Sequence, residues 1–201
     1  MARKADVSDV VLDAALELAA TAGWRDLTMR DVAEASGVTL AELHAVYPTR
    51  SAILKAFSAR IDAAVLAGDT GDLGDESPRD RLFDVIMRRL DVLSAHRKAA
   101  WSIIRASLGN PGSALQGFCL TQASMRWMLE AAGIDAGGPA GALRTKGLML
   151  VWLDVLRVWQ SDESEDMART MAHLDRRLAL AERLQNFAWR APRPEPEEAG
   201  A

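Results

Sequence analysis

The sequence predicts an all-α protein with a small N-terminal helical domain and a larger helical bundle behind it. Apolar residues recur at helical spacing along most of the 201-residue chain, and no segment alternates apolar and polar residues as a half-buried strand does. Runs of β-branched residues are scarce, and tyrosine occurs once. Glycine and proline separate the helical segments, which indicates several helices joined by short connections.

The composition excludes several classes of protein. Apolar residues make up 49% of the chain, which excludes wholesale disorder, and the single cysteine excludes a disulfide scaffold. No run of 18 apolar residues occurs, so we expect no transmembrane segment. The polar N-terminus does not read as a signal peptide, and we expect a cytoplasmic protein. The net charge of −4 argues against a surface that is basic throughout, but it allows a local basic patch.

The first three predicted helices are well delimited. The first spans about residues 7–22 and has one apolar face, and Gly23 ends it. The second spans residues 29–36 and the third residues 40–46, with Gly37 breaking the chain between them. A threonine precedes each of these two short helices and is a favoured N-cap residue.

The remaining helices are longer. One is predicted from Arg50 to about Ala67, and residues 68–80 form a surface connection because glycine, proline and charged residues dominate there. Further helices are predicted near residues 79–94, 97–108, 113–132, 140–161 and 163–188. Three prolines and three glutamates follow, so we expect residues 190–201 to be a disordered tail.

Two short helices on either side of a glycine, flanked by other helices, have the spacing of a helix-turn-helix. In this motif the first helix braces the second, and the N-terminal end of the second enters the major groove of DNA. We expect the two helices to pack together through four apolar residues, Val32, Ala33, Val38 and Leu43.

Residues 11–56 carry several motifs: LDAALEL, Gly23-Trp24, T-x-R-D-V-A, G-V-T and Y-P-T-R-S-A-I-L. With them the segment resembles the N-terminal domain of the TetR family of transcriptional regulators. The resemblance implies a TetR-like homodimer with a three-helix DNA-binding domain (residues 1–50) and a ligand-binding and dimerisation bundle (51–189). It also implies two partners, a palindromic DNA operator and an apolar small molecule.

The resemblance implies a set of DNA-binding positions. Four match the family's phosphate contacts at the second helix and after the third, namely Thr28, Arg30, Tyr47 and Arg50. Four more lie at the start of or on the third helix, which is the recognition helix of the motif. They are expected to face base edges: Thr39, Leu40, Glu42 and His44. Three further cations complete the predicted set, with the first two forming a basic arm: Arg3, Lys4 and Lys55.

The recognition helix departs from the family pattern. It contains no Lys or Arg, and Glu42 stands where a small hydroxyl residue is common. Phosphates repel a carboxylate, although Glu can accept a hydrogen bond from cytosine N4. Residues 1–60 contain seven bases and eight acids, whereas a DNA-binding domain is expected to be basic. The sequence therefore leaves open a helix-turn-helix that is retained only for packing.

Residues 144–184 suggest a second function. They contain a tryptophan- and leucine-rich helix, an acidic turn D-x-S-x-D and the run M-A-R-T-M-x-x-L-D-R-R-L. This segment resembles the TetR-fold accessory proteins of coenzyme Q (ubiquinone) biosynthesis, which bind an isoprenoid lipid and are not repressors. The alternative function is therefore a lipid-binding accessory protein that has lost DNA binding.

The last two helices also suit helix-on-helix packing. Between residues 147 and 159 only Asp154 and Arg157 are polar, and at a spacing of three they can pair with each other. The pattern fits a dimer interface, and also an ordinary intramolecular bundle. The predicted interface residues are Val151, Val155, Val158, Trp159, Met167, Met171, Leu174 and Leu178.

Tryptophan and methionine concentrate in the C-terminal part, where they form either plain core or an adaptable apolar pocket. As a set they favour a pocket for a bulky apolar ligand. Its predicted polar contacts are Arg105, Gln122 and Arg126. Its predicted apolar lining is Met87, Trp101, Phe118, Met125, Met128, Met149 and Trp152.

No enzyme, metal site or cofactor is predicted. The three histidines lie far apart in sequence, and Cys119 lies among apolar residues in a predicted helix. The glycine-rich residues 133–141 lack the Lys and the preceding strand of a phosphate-binding loop. Catalysis is therefore the weakest hypothesis.

Overall fold

The structure, a computed structural model, describes residues 2–68, 76–164 and 166–190, and side chains from residue 7 to residue 183 within these ranges. This part of the chain contains nine α-helices and no strand, which confirms the predicted all-α class. None of the described helices is long and apolar enough to cross a membrane. The helices are α1 (Ala2–Leu18), α2 (Met29–Ser36), α3 (Leu40–Val46), α4 (Arg50–Leu66), α5 (Pro78–Ser94), α6 (Arg97–Leu108), α7 (Pro111–Ala131), α8 (Gly138–Gln160) and α9 (Ala168–Arg190).

Local signals set the ends of the early helices. The predicted bounds of α2 and α3 are confirmed, because each begins after a threonine N-cap and α2 ends at a glycine. Helix α1 begins at Ala2, five residues before its predicted start. It ends in a π-helical turn, Ala19–Gly23, and Gly23 leaves that turn with a φ of 99°.

The last helix begins later than predicted. Helix α9 starts at Ala168, because Met167 before it adopts a φ of 52°, which a helix does not allow. Helix α9 includes Arg190, the first residue of the predicted tail. Residues 191–201 of that tail lie outside the described residues.

The chain divides into two compact units, residues 1–149 and 150–201, with the boundary inside α8. In the first unit, α1 and its π-helical turn pack against α2, α3 and α6, and α4 packs against α5 and α7. These contacts join the predicted DNA-binding segment, residues 1–50, to the helices that follow it. Five side chains with no exposed surface mark the core: Val11, Ala15, Ile53, Ile86 and Met125.

The second unit contains the C-terminal part of α8 and all of α9. Val155, Trp159 and Leu174 are fully buried. The Asp154 carboxylate on α8 lies 2.7 Å from His173 Nε2 and accepts a hydrogen bond from Arg177 Nε, both on α9. These hydrogen bonds hold the two helices side by side, and the one from His173 is the largest cause of a lowered pKa at Asp154.

Candidate nucleic-acid interface

Helices α2 and α3 are joined by a tight turn at Gly37. Gly37 has a φ of 67°, a left-handed conformation that a residue without Cβ adopts at little cost. Its amide and that of Val38 donate to carbonyls in the last turn of α2, which closes the helix end. The buried side chains Val32, Ala33 and Leu43 lie on the inner sides of the two helices, with Val38 only partly buried. The predicted helix-turn-helix is therefore present.

Both short helices begin with a complete capping box. At α2, the Thr28 amide and hydroxyl donate to Asp31 Oδ2 at 2.9 and 2.7 Å, and the Asp31 amide donates back to the hydroxyl at 3.2 Å. These hydrogen bonds, the one from the Thr28 hydroxyl above all, lower the pKa of Asp31. At α3, the Thr39 amide and hydroxyl donate in the same way to Glu42 Oε2, at 2.9 and 2.8 Å.

The capping box gives Glu42 a role that the sequence interpretation missed. Its carboxylate was expected to face DNA, but it folds back onto the N-cap of its own helix. The signal was in the sequence, because Thr39 with Glu three residues later is a capping-box pattern. Thr39 and Glu42 are both exposed, so the predicted base contacts of these residues stay predictions.

The outer side of α3 is formed by Leu40, Ala41, His44 and Ala45, which we call the α3 face. All four residues are exposed, and 49% of the Leu40 surface is accessible. Leu43, on the inner side of the helix, is 1% exposed. Leu40 and His44, which are predicted to contact base edges, therefore lie on the same outward side of the recognition helix.

Arg50 binds the chain that precedes α2. Its Nη1 donates to the carbonyl oxygens of Trp24, Arg25 and Leu27 at 2.9–3.0 Å, and its guanidinium lies 6.0 Å from the centre of the Trp24 ring. This arrangement fixes the loop between the π-helical turn and α2 to the start of α4. Arg50 therefore has a structural role in addition to its predicted phosphate contact.

Tyr47 lies between α3 and α4 and is partly buried, and its pKa is raised because burial disfavours the phenolate. Its hydroxyl is hydrogen-bonded with the Ser8 side chain on α1. Nearby, the Arg60 guanidinium of α4 forms ion pairs with Asp9 and Asp13 of α1. Its Nη2 lies 2.9 Å from Asp9 Oδ1. Tyr47 thus also helps to join α1 to the helix-turn-helix.

The remaining predicted DNA-binding residues are cations. Arg30 on α2 and Lys55 on α4 are exposed. Arg3 and Lys4 are in the first turns of α1, and their side chains lie outside the described residues. Among the described residues, no group of three His, Cys, Asp or Glu side chains could hold a metal ion.

Residues 11–57 match the family model described as "Bacterial regulatory proteins, tetR family". The matched segment covers α2, α3 and the capping boxes, together with the loop that Arg50 holds. The resemblance predicted from residues 11–56 is therefore confirmed. No curated protein matches the chain in sequence.

Solved structures resemble the chain over most of its length. A TetR transcriptional regulator from Nitrosomonas europaea superposes with a TM-score of 0.70 at 24% identity, covering 87% of this chain and 97% of that one. The chain has a TetR-like fold. A TetR transcriptional regulator from Rhodococcus sp. RHA1 gives a TM-score of 0.62 at 23% identity, with coverage of 87% and 94%. These similarities extend the TetR-like fold well beyond the helix-turn-helix.

The ten predicted ligand-binding residues do not share one environment in the TetR-like bundle. Met125 and Met128 on α7 have no exposed surface, and Met149 and Trp152 on α8 are 4% exposed. On α7, by contrast, Phe118 is 47% exposed and Arg126 is exposed, as is Arg105 on α6. The partly buried members are Met87, Trp101 and Gln122. A surface groove between residues 13–20 and 94–99 includes none of the ten.

The predicted dimer residues are mostly buried within the single chain. Five are 9% exposed or less and have little surface for a partner: Val155, Trp159, Met167, Leu174 and Leu178. Three are partly buried: Val151, Val158 and Met171. Among the residues of this unit whose side chains are described, the exposed leucines are instead Leu150 and Leu153 on α8, at 70% and 41%, and Leu180 on α9, at 46%.

A buried polar cluster, which the sequence interpretation missed, joins α4, α5 and α7. Arg89 on α5 is 7% exposed and its Nη1 donates to Asp62 Oδ1 on α4. Ser124 on α7, with no exposed surface, donates to Asp62 Oδ2 at 2.8 Å and lies 3.3 Å from the Ser58 hydroxyl. The signal was Arg89 itself, because it falls on the apolar stripe of α5.

Proposed function

We propose that this protein is a TetR-type transcriptional regulator that binds a palindromic DNA operator as a homodimer and responds to an apolar ligand. The observation that carries the proposal is the capped helix-turn-helix, which presents the α3 face outward. The family match over residues 11–57 supports it. In a dimer, two such faces one helical turn apart would enter successive major grooves.

DNA binding is tested by selection from fragmented genomic DNA of the source organism. The purified protein captures fragments at low salt, and the capture is repeated at physiological salt. We expect a palindromic site that survives the higher salt, since base contacts remain when phosphate contacts are screened. Failure to enrich any site at either salt would contradict the proposal.

The dimer interface is proposed on the exposed leucines of the second unit. Leu150 and Leu153 on α8 and Leu180 on α9 are exposed large apolar side chains within the described part of this unit, and burial against a second copy would remove them from water. Leu150→Glu with Leu153→Glu should convert the dimer to a monomer in analytical ultracentrifugation. Leu108→Glu, at a leucine of α6 that is 79% exposed, is the control and should leave the dimer intact.

The ligand site is proposed in the bundle of α4, α5 and α7. These three helices pack on one another, Met125 and Met128 of α7 have no exposed surface, and the Asp62–Arg89–Ser124 cluster supplies polar groups within the same bundle. An apolar molecule with one polar end fits such an environment. Mass spectrometry of solvent extracts from the purified protein should detect it. Met128→Trp, which fills the core, should reduce its yield relative to Leu108→Glu.

One observation favours the alternative, a lipid-binding accessory protein of ubiquinone biosynthesis without DNA binding. The α3 face has no Lys or Arg, and Glu42 places a carboxylate at the start of the recognition helix. This alternative predicts an isoprenoid quinone or its precursor in the extract and no enriched DNA site. The regulator predicts an enriched DNA site, whatever the extract contains.

A further inference from the structure

The α3 face is nearly all apolar. Leu40, Ala41 and Ala45 are exposed together with His44, and this helix contains no Lys or Arg. A single exposed leucine needs no functional explanation. Here, however, the exposed leucine is the first residue of the helix that a helix-turn-helix lays into the major groove. The chemistry of that face therefore decides which base edges it can read.

The polar groups beside this face are engaged within the helix. The Thr39 hydroxyl donates to Glu42 Oε2 and accepts from the Glu42 amide at 3.2 Å, while the Thr39 amide donates to the same carboxylate oxygen. At about 100° per residue, Glu42 also lies roughly 130° around the helix from the middle of the α3 face. Apolar contact through Leu40 and Ala41 and hydrogen bonding through His44 remain for base recognition.

One base presents an apolar group in the major groove. Thymine carries a C5-methyl group there beside its O4 acceptor, and small or aliphatic side chains contact this methyl group. We propose that the α3 face selects its operator through thymine methyl groups contacted by Leu40 and Ala41. His44 adds a hydrogen bond to a neighbouring base edge. This inference rests on the proposed function and names the base chemistry that its site recognises.

The test uses the duplex recovered by genomic selection, with each thymine of a half-site replaced in turn by deoxyuridine. This substitution removes the methyl group and keeps every hydrogen-bonding atom of the base pair. Affinity, measured by fluorescence anisotropy at physiological salt, should fall roughly fourfold for each contacted methyl group. Positions outside the reach of α3 should show no change.

Variants assign the effect to the α3 face. Leu40→Ala, an exposed substitution to a strong helix former, should bind more weakly and lose the sensitivity to deoxyuridine at its own position. Leu40→Met keeps an apolar side chain of similar size and should retain that sensitivity. Leu108→Ala, at an exposed leucine of α6, is the matched control and should behave as the wild type.

The outcomes separate the inference from the function on which it rests. If specific binding has the same affinity with deoxyuridine at every position, thymine-methyl recognition is overturned, but the proposed regulator function is not contradicted. Sensitivity to deoxyuridine that persists unchanged in Leu40→Ala would show that Leu40 does not contact a thymine methyl group, and it would overturn the inference. Recovery of no specific duplex would overturn the proposed function and the inference together.

Discussion

At the residue scale, Arg50 shows how one side chain can serve the fold at a position where binding is expected. A single guanidinium nitrogen donates to three carbonyls, those of Trp24, Arg25 and Leu27. These carbonyls lie in the loop between α1 and α2, where no helix supplies partners for them. Hydrogen bonds from a charged donor are stronger than those between neutral groups, so this loop depends on Arg50.

Arg50→Ala should therefore lower the free energy of unfolding by about 1–2 kcal/mol, the range for lost hydrogen bonds to a charged group that is partly solvated. Urea unfolding followed by circular dichroism measures the effect. Lys55→Ala, at an exposed cation five residues later on α4, is the matched control and should change stability little. Equal stability of the two variants would contradict the structural role of Arg50.

Glu42 has two separable effects at the same scale, one through its hydrogen bonds and one through its charge. Glu42→Gln keeps an acceptor for the Thr39 amide, so it should retain stability while raising non-specific DNA affinity at low salt. Glu42→Ala also removes the charge but loses the cap, which should cost about 1 kcal/mol of stability. Anisotropy with a non-cognate duplex and urea unfolding measure the two effects. A less stable Glu42→Gln would show that the charge, and not the acceptor, caps α3.

At the element scale, the buried cluster of Asp62, Arg89 and Ser124 ties three helices together. Helix α4 carries Arg50 at its start and Asp62 twelve positions later, so one helix contacts both the loop before α2 and the bundle. Separation of α4 from α5 would break this ion pair, which is costly when one partner loses its counter-charge in a buried site.

Arg89→Met should destabilise the protein by about 3 kcal/mol, because it leaves the Asp62 carboxylate, which is only 17% exposed, without its cation. The double variant Asp62→Leu with Arg89→Met should recover part of this loss, since an apolar pair replaces the ion pair while the Ser124 hydroxyl keeps Ser58 as a partner. Arg126→Met, at an exposed arginine of α7, serves as the control. Chemical unfolding measures the stability of all these variants. A double variant no more stable than Arg89→Met alone would contradict the role given to the ion pair.

Asp162 organises the turn before α9. Its carboxylate, in a residue with no exposed surface, accepts from the Ser164 hydroxyl at 2.6 Å and from the Thr170 amide and hydroxyl at 2.8 and 2.7 Å. These hydrogen bonds, first from Ser164 and then from Thr170, hold the pKa of Asp162 far below its usual range. They favour the ionised form, so the folded state binds a proton at this site less readily than the unfolded chain does.

The stability that Asp162 contributes should be complete above its unfolded pKa of about 3.9 and should be lost as the pH falls below it. Wild-type protein should therefore lose stability as the pH falls below about 4 more steeply than Asp162→Asn does. Glu163→Gln, at an exposed neighbouring acid, is the matched control for the loss of one carboxylate. Parallel curves for wild type and Asp162→Asn would count against this account.

At the scale of the whole molecule, the sequence predicted the all-α class, the order of the helices and the bounds of α2 and α3. These features depend on local signals such as a threonine N-cap, a glycine turn and helical periodicity. It did not predict the partners of Arg50 or the pairing of Asp62 with Arg89. Both join residues more than twenty positions apart, and packing determines such contacts, not local propensity.

The predicted dimer seam illustrates the same limit. Met167, Leu174 and Leu178 have the spacing of a helix-packing seam, and they are buried. Periodicity marks the buried side of a helix, but it does not tell whether the same chain or a second copy covers that side. Burial in the single chain moves the proposed interface to the exposed Leu150 and Leu153.

The measurement that most directly tests the central claim is the ratio of affinities for the recovered palindrome and for the same duplex with its sequence scrambled. Both are titrated at physiological salt by fluorescence anisotropy. A regulator should bind the palindrome about a thousandfold more tightly or better, because base contacts remain when phosphate contacts are screened. Equal affinity for the two duplexes, or no binding to either, would contradict the claim that this TetR-like fold reads DNA.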